Sequence, residues 1–234
     1  MDNLKNLLVL PFNVTPNEDI AKDIVSNLMS NYVIQKGSDL YEIIEAEFYY
    51  YSHSHPDITV YERKMDGGRY FFHQSGVDIT FKSHIEEING KIDSQKSAFG
   101  GILIRSLKRI SRNNVCEFIL GPLNCVNHLW DNFNALEQPS VSEYPCLKFQ
   151  TIEGALIEAE KRFYPVKEEQ KEKKLNSLNS KFDEVVEKDL DCWLNRKYRF
   201  VRSNIKPDEK ALKKYNNRNP SPCPETWIKP CLLQ

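Results

Sequence analysis

No apolar run in the 234 residues approaches the roughly 20 that a membrane-spanning helix needs, so no span is expected. The one apolar cluster near the start, LLVLPF, is too short for a signal-peptide core. It lacks a basic lead-in and a small-residue cleavage site. Six cysteines (116, 125, 146, 192, 223 and 231) include no CxxC pair, which removes the usual zinc-ribbon and dithiol signatures. A chain of this size does not need disulfide staples, so a reducing, cytoplasmic setting is the expectation, with Cys223 and Cys231 able to pair only under oxidation. There is no internal repeat. The composition, 40% apolar and 28% charged, is that of a globular domain. A general basic excess is also missing. Residues 1–160 hold 14 Lys and Arg against 22 Asp and Glu, and residues 161–234 hold 18 against 11. The only basic footprint lies between Cys192 and Arg218, where nine basic residues face Asp208 and Glu209.

What is present begins with YEIIEAEFYYY, residues 41–51. A period of two places Tyr41, Ile43, Glu45, Glu47, Tyr49 and Tyr51 on one face of a strand. Carboxylates beside phenols could orient a water for general-base chemistry, or could simply form a solvated outer face. Ahead of it, Thr15-Pro16-Asn17-Glu18 reads as a capping box with proline at the first helical position, opening a helix to about Asn31. A short strand at 32–35 and a turn at 36–39 follow. After the central strand come a polar loop (52–57), a strand at 58–64 and two short strands within 69–81, broken at Ser75-Gly76. Residues 82–97 read as loop and FGGILIRSL (99–107) as a strong strand. A helix starts after Gly121-Pro122 and a brief strand spans 146–150. Helices are expected at 151–163 and 167–194, the second with a narrow apolar stripe. YRFVRSN (198–204) reads as a last strand. The fold class is α/β of the α+β kind, one mixed domain with a curved, mainly antiparallel sheet. It would occupy residues 1–205, with 150–195 as a helical insertion and 206–234 as a Pro-rich basic tail.

Arg105 interrupts the apolar strand, and alternation groups it with Gly101, Leu103 and Leu107. A guanidinium keeps its proton, so inside a central strand it needs a carboxylate or an anionic ligand. Glu45 and Glu47 are the candidates, with Asp78 as an alternative. His53, His55 and Asp57 or Asp66 have a spacing that zinc could use, and HSHP resembles the signature of JAMM-type isopeptidases. Arg63 stands where that family has a serine, so no metal is assigned.

Several segments, in order, resemble the single-domain alkyladenine (3-methyladenine) DNA glycosylases. EIIEAEFY (42–49) is similar to that family's R-I-V-E-T-E-A-Y strand, and MDGGRYFFHQSG (65–76) to its M-F-x-x-x-G-x-x-Y-V-Y-x-x-Y-G stretch. ILIRSL (102–107) places Arg105 on the family arginine, GPLNCVNHL (121–129) resembles its G-P-x-x-L helix start, and YRFVRSN its late strand. The resemblance covers about residues 15–133 and resumes near 198. It implies hydrolysis of the N-glycosidic bond of an alkylated purine in DNA, without a cofactor, by a monomer. Glu47 would be the general base and Arg105 would hold the water and the Glu47 charge. Tyr49 and Phe72 would sandwich the extruded base, with His53 or His55 completing the pocket and Tyr70, Ser75 and Asp78 lining it. The basic footprint supplies Arg196, Lys197, Arg199 and Arg202 as candidate phosphate contacts. Ser75 stands where the family wedges a tyrosine into the duplex. Two alternatives stay open: an N-glycoside hydrolase acting on a nucleoside, nucleotide or single strand, and a non-catalytic module that binds a modified base or a protein.

Overall fold

The computed structural model describes residues 2–10, 15–57, 59–110, 116–131, 134–138, 140–162, 176, 180–183, 195–218 and 222–228. Its centre is a long antiparallel pair, β2 (Asp39–Ser52) and β8 (Phe99–Ile110). Each long strand outlasts any one neighbour. Along one edge, β2 meets β1 (Tyr32–Lys36), then β12 (Arg199–Arg202), then β3 (His55–Pro56). Along the other, β8 meets β9 (Cys116–Leu120) and β5 (Gly76–Thr80). β4 (Tyr70–His73), β10 (Cys146–Phe149) and β11 (Ile157–Glu160) pair outside β5, β1 and β12. All these pairs are antiparallel, and the sheet curls into a half-barrel, as the sequence leads one to expect of an α+β domain. A separate two-stranded ribbon, β6 (Glu87–Ile88) and β7 (Lys91–Ile92), lies within 82–97.

Helices cover one side of the sheet. α1 (Asp2–Leu7) and α2 (Glu18–Asn31) pack their apolar stripes, including Ile24, Val25, Leu28 and Met29, on Ile43, Ala46, Phe48, Ile102, Ile104 and Leu107. α3 (Pro122–Leu129) adds Cys125 and Leu129 to that core. The first cap lies two residues beyond the expected one. Asn17, not Thr15, caps α2, its Oδ1 accepting the Ile20 N–H at 2.8 Å, and Pro16 stays outside the helix.

The C-terminal segment closes part of the opposite side. α4 (Glu209–Arg218) and α5 (Glu225–Ile228) bury Tyr215, Cys223 and Trp227 against Ile44, Leu120, Val201 and Ile205. Residues 206–218 and 222–228 are therefore docked rather than a tail. The helix expected at 151–163 is replaced by a turn and β11, because Ile157–Glu160 hydrogen-bond along β12. Residues 59–64 are irregular rather than a strand. The helix expected at 167–194 lies outside the described residues except at 176 and 180–183, where Phe182 packs on Tyr51 and Phe99. The Cys223–Cys231 pairing also falls outside them. Among the described residues, no helix is long and apolar enough to cross a membrane.

Candidate active site on the carboxylate face

Strict alternation fails once in each central strand, and that failure builds the site. The register runs Ile43 with Leu107, Glu45 with Ser106 and Ala46 with Ile104, so β2 and β8 each carry a local irregularity. Ile43, Ala46, Ile104 and Leu107 consequently all join the helix-side core. Ile44, Glu45, Arg105 and Ser106 face the other side. The expected grouping of Tyr41 and Ile43 with the carboxylates is corrected accordingly, as is that of Leu107 with Arg105. Both strands re-enter phase beyond the irregularity, which leaves Glu45, Glu47 and Tyr49 together as expected.

Arg105 and Glu47 meet. The Arg105 guanidinium donates from Nη1 to Glu47 Oε2 at 3.1 Å, from Nε to Glu45 Oε1 at 2.8 Å, and from Nη2 to the Tyr215 hydroxyl at 3.0 Å. Glu45 also takes Arg199 Nε at 2.9 Å and the Ser106 hydroxyl at 2.5 Å. Burial pushes the Glu45 carboxyl up, but Arg199, Arg105 and Ser106 outweigh it and hold the group near 2. Glu45 is thus an anion at neutral pH that fixes two guanidiniums. Burial alone would lower the Arg105 pKa, yet Glu47 and Glu45 raise it well above its ordinary value.

Glu47 is held differently. Its Oε2 accepts from Arg105 and from the Tyr49 hydroxyl, the latter at 2.8 Å. Its Oε1 is buried and accepts no hydrogen bond among the described residues. Tyr49 is the only side chain between Tyr41 and Ser52 that is half-buried rather than buried, whereas Glu47 beside it is 1% exposed. Burial of the phenol, and then the Glu47 charge, push the Tyr49 pKa well above the usual value, so the phenol remains a donor. Arg162, which no motif or spacing singles out, lies 4.4 Å from the Tyr49 ring centre. Its Nη1 donates to the Phe48 carbonyl at 3.1 Å, and its Nη2 pairs with Asp57 Oδ2 at 2.8 Å. Arg162 follows β11, and only the pairing of β11 with β12 brings it here.

Other expected site residues are dispersed. Phe72 and Tyr70 point to the helix side, where both meet Trp130 edge-on. The register Phe71–Asp78–Leu103–Glu47 puts Phe71, not Phe72, on the carboxylate face. The sandwich of Tyr49 and Phe72 is therefore not formed, because one-residue alternation sends the two rings to opposite faces. Asp78 does lie on the carboxylate face, tied to Arg63 Nη1 at 2.5 Å and His73 Nε2 at 3.0 Å. Arg63 in turn lies over the Phe71 ring at 4.2 Å. His55 is buried among core aromatics, with Nδ1 on the Tyr50 carbonyl and Nε2 on the Tyr198 hydroxyl. Burial lowers its pKa to about 4, so it is a neutral structural ring at pH 7. His53 is exposed on the adjacent turn, and Ser75 is exposed at the tip of the β4–β5 hairpin. Among the described residues, no group of three or more His, Cys, Asp or Glu is arranged to hold a metal ion.

The basic footprint divides in two. Arg199 and Arg202 are each 2% exposed, with ion pairs to Glu45 and Glu42. The expectation that they touch phosphate is corrected: Arg199 is spent on Glu45, the Tyr215 hydroxyl and the Pro222 carbonyl, and Arg202 on Glu42. Just before β12, Lys197 is exposed and Arg196 half-buried. Two cavities of about 260 and 270 Å³ lie elsewhere, around His128 and Asp131 between α3, β9 and the β1–β2 turn. Comparison with protein-family models, curated proteins and solved structures finds no match.

Proposed function

We propose that the protein hydrolyses the N-glycosidic bond of a damaged, alkylated purine in DNA, acting as a cytoplasmic monomer, with Glu47 as general base. The observation that carries this reading is the asymmetry of the Glu47 carboxylate. One oxygen is fixed by Arg105 and Tyr49, and the other is buried without a protein donor among the described residues. A carboxylate oriented in this way can take a proton from a water with little reorganisation. Arg105 holds the carboxylate in place, and its pairing with Glu45 keeps it from being drawn away. Glu45 itself is saturated by Arg105, Arg199 and Ser106 and is not the base.

Two observations favour a substrate smaller than duplex DNA as the second reading. The β4–β5 hairpin offers only Ser75 where a wedge residue would fill the stack, and two of the four expected phosphate-binding side chains are buried. Assays of base release from duplex oligonucleotides, single strands and free nucleosides carrying altered purines separate the two. Glu47→Gln is expected to reduce release by about 100-fold or more while the fold melts at a similar temperature. Equal release by wild type and Glu47→Gln would end the proposal. Binding without release would leave a non-catalytic module.

A further inference from the structure

We infer that the substrate base is uncharged, and that Arg162 is the residue selecting it by stabilising the negative charge of the departing base. This rests on the hydrolase reading above. The Tyr49 ring beside Glu47 is not bare. The flat Arg162 guanidinium stacks 4.4 Å from the Tyr49 ring centre and lies 5.4 Å from that of Tyr198. It is only 5% exposed and is anchored by Asp57, itself fully buried and fixed by the Thr59 N–H at 3.0 Å and hydroxyl at 2.6 Å. A cationic alkylated purine is held best by bare ring faces, because each ring presents a negative quadrupole to it. Here that quadrupole is already engaged by a fixed cation. A second cation beside Tyr49 would meet like charge in a setting that screens it weakly.

The same cation suits a neutral base. The Glu47-activated water forms its O–C1′ bond as the C1′–N9 bond breaks. The water proton goes to Glu47, and the bonding electron pair goes to N9 of the base. A cationic lesion leaves as a neutral molecule and needs no help, whereas a neutral lesion leaves as an anion until solvent protonates it. Arg162 is a fixed positive charge placed for that anion, the arrangement that stabilises developing charge without reorganisation. Asp57 and the Phe48 carbonyl hold Arg162 in place whether or not substrate is present.

Oligonucleotides and deoxynucleosides carrying hypoxanthine or 1,N6-ethenoadenine (uncharged) and 7-methylguanine (cationic) test the inference, with Glu47→Gln as the background. Wild type is expected to release the uncharged bases faster, relative to their uncatalysed rates, than 7-methylguanine. In Arg162→Gln, and in the charge-balanced double variant Arg162→Met/Asp57→Asn, the neutral-to-cationic ratio of kcat/KM should fall by about 100-fold. That ratio does not depend on how much of a variant is folded. An unchanged ratio in both variants, or a wild-type preference for 7-methylguanine, overturns the role of Arg162 and leaves the hydrolase intact. Release of none of these bases overturns the hydrolase reading and the inference together.

Discussion

Two carboxylates two residues apart on β2 have different physical lives. Glu45 compensates two buried guanidiniums, so Glu45→Gln would leave Arg105 and Arg199 without their shared anion. A loss of about 3–5 kcal/mol is expected in denaturant unfolding, in line with breaking one side of a buried ion cluster. Glu47→Gln leaves Arg105 paired with Glu45 and should cost far less stability while removing the base function. The ranking is the test: a larger stability loss at Glu47 would mean that the roles are exchanged. His55 sets the acid limit. Its pKa is about 4 in the fold against about 6.5 free, so the unfolded chain binds the proton first. Its stabilising contribution is whole above pH 6.5 and is lost as pH falls from there toward 4. Unfolding free energy should drop through that window by up to about 1.4 kcal/mol per pH unit on its account. His55→Gln should flatten that slope; a slope that persists assigns the acid sensitivity elsewhere. Glu45, held near 2, loses its contribution only as pH falls from about 4.5 to 2.

At the scale of elements, the paired irregularity of β2 and β8 gathers Glu45, Glu47, Arg105 and Ser106 on one face of the sheet. Regular pairing would send one of Arg105 and Ser106 into the helix-side core, where neither has a partner. The Gly100-Gly101 pair of β8 has a related purpose. A Cβ at Gly101 would lie 2.8 Å from the Ile79 carbonyl oxygen and 2.9 Å from Arg63 Nη1, and one at Gly100 would collide with the Tyr49 carbonyl oxygen. Gly101→Ala is expected to cost about 1–3 kcal/mol and to push Arg63 off Asp78. Gly100→Ala, whose Cβ would come closer still and meet backbone atoms alone, should cost more. Thermal melts of the two variants read this order directly, and equal, negligible losses would contradict the packing.

For the whole molecule, the C-terminal segment belongs to the domain. A chain ending at residue 205 would lose Tyr215 from Arg105 and Arg199 and would strip Ile44, Leu120 and Val201 of their cover. It should fail to give a cooperative melt, whereas a mere tail could be removed with little effect. If DNA is the partner, charge reversal at Arg196 and Lys197 should lower the salt slope of duplex binding by about 2. Reversal at Arg199 and Arg202 should instead unfold the protein, because both guanidiniums are internal.

The antiparallel α+β class and the two central strands were legible in the chain, because hydrophobic periodicity is a local property and each strand carries it unaided. The meeting of Glu47 with Arg105 could be anticipated from an arginine that needs a partner inside an apolar strand. Which side Phe72 and Leu107 face was not legible. That depends on hairpin register and on an irregularity created only when two strands pair. Arg162 and Tyr215 were hidden for a further reason: their roles come from segments more than 100 residues away in sequence, and no local pattern records which surface a distant segment will cover.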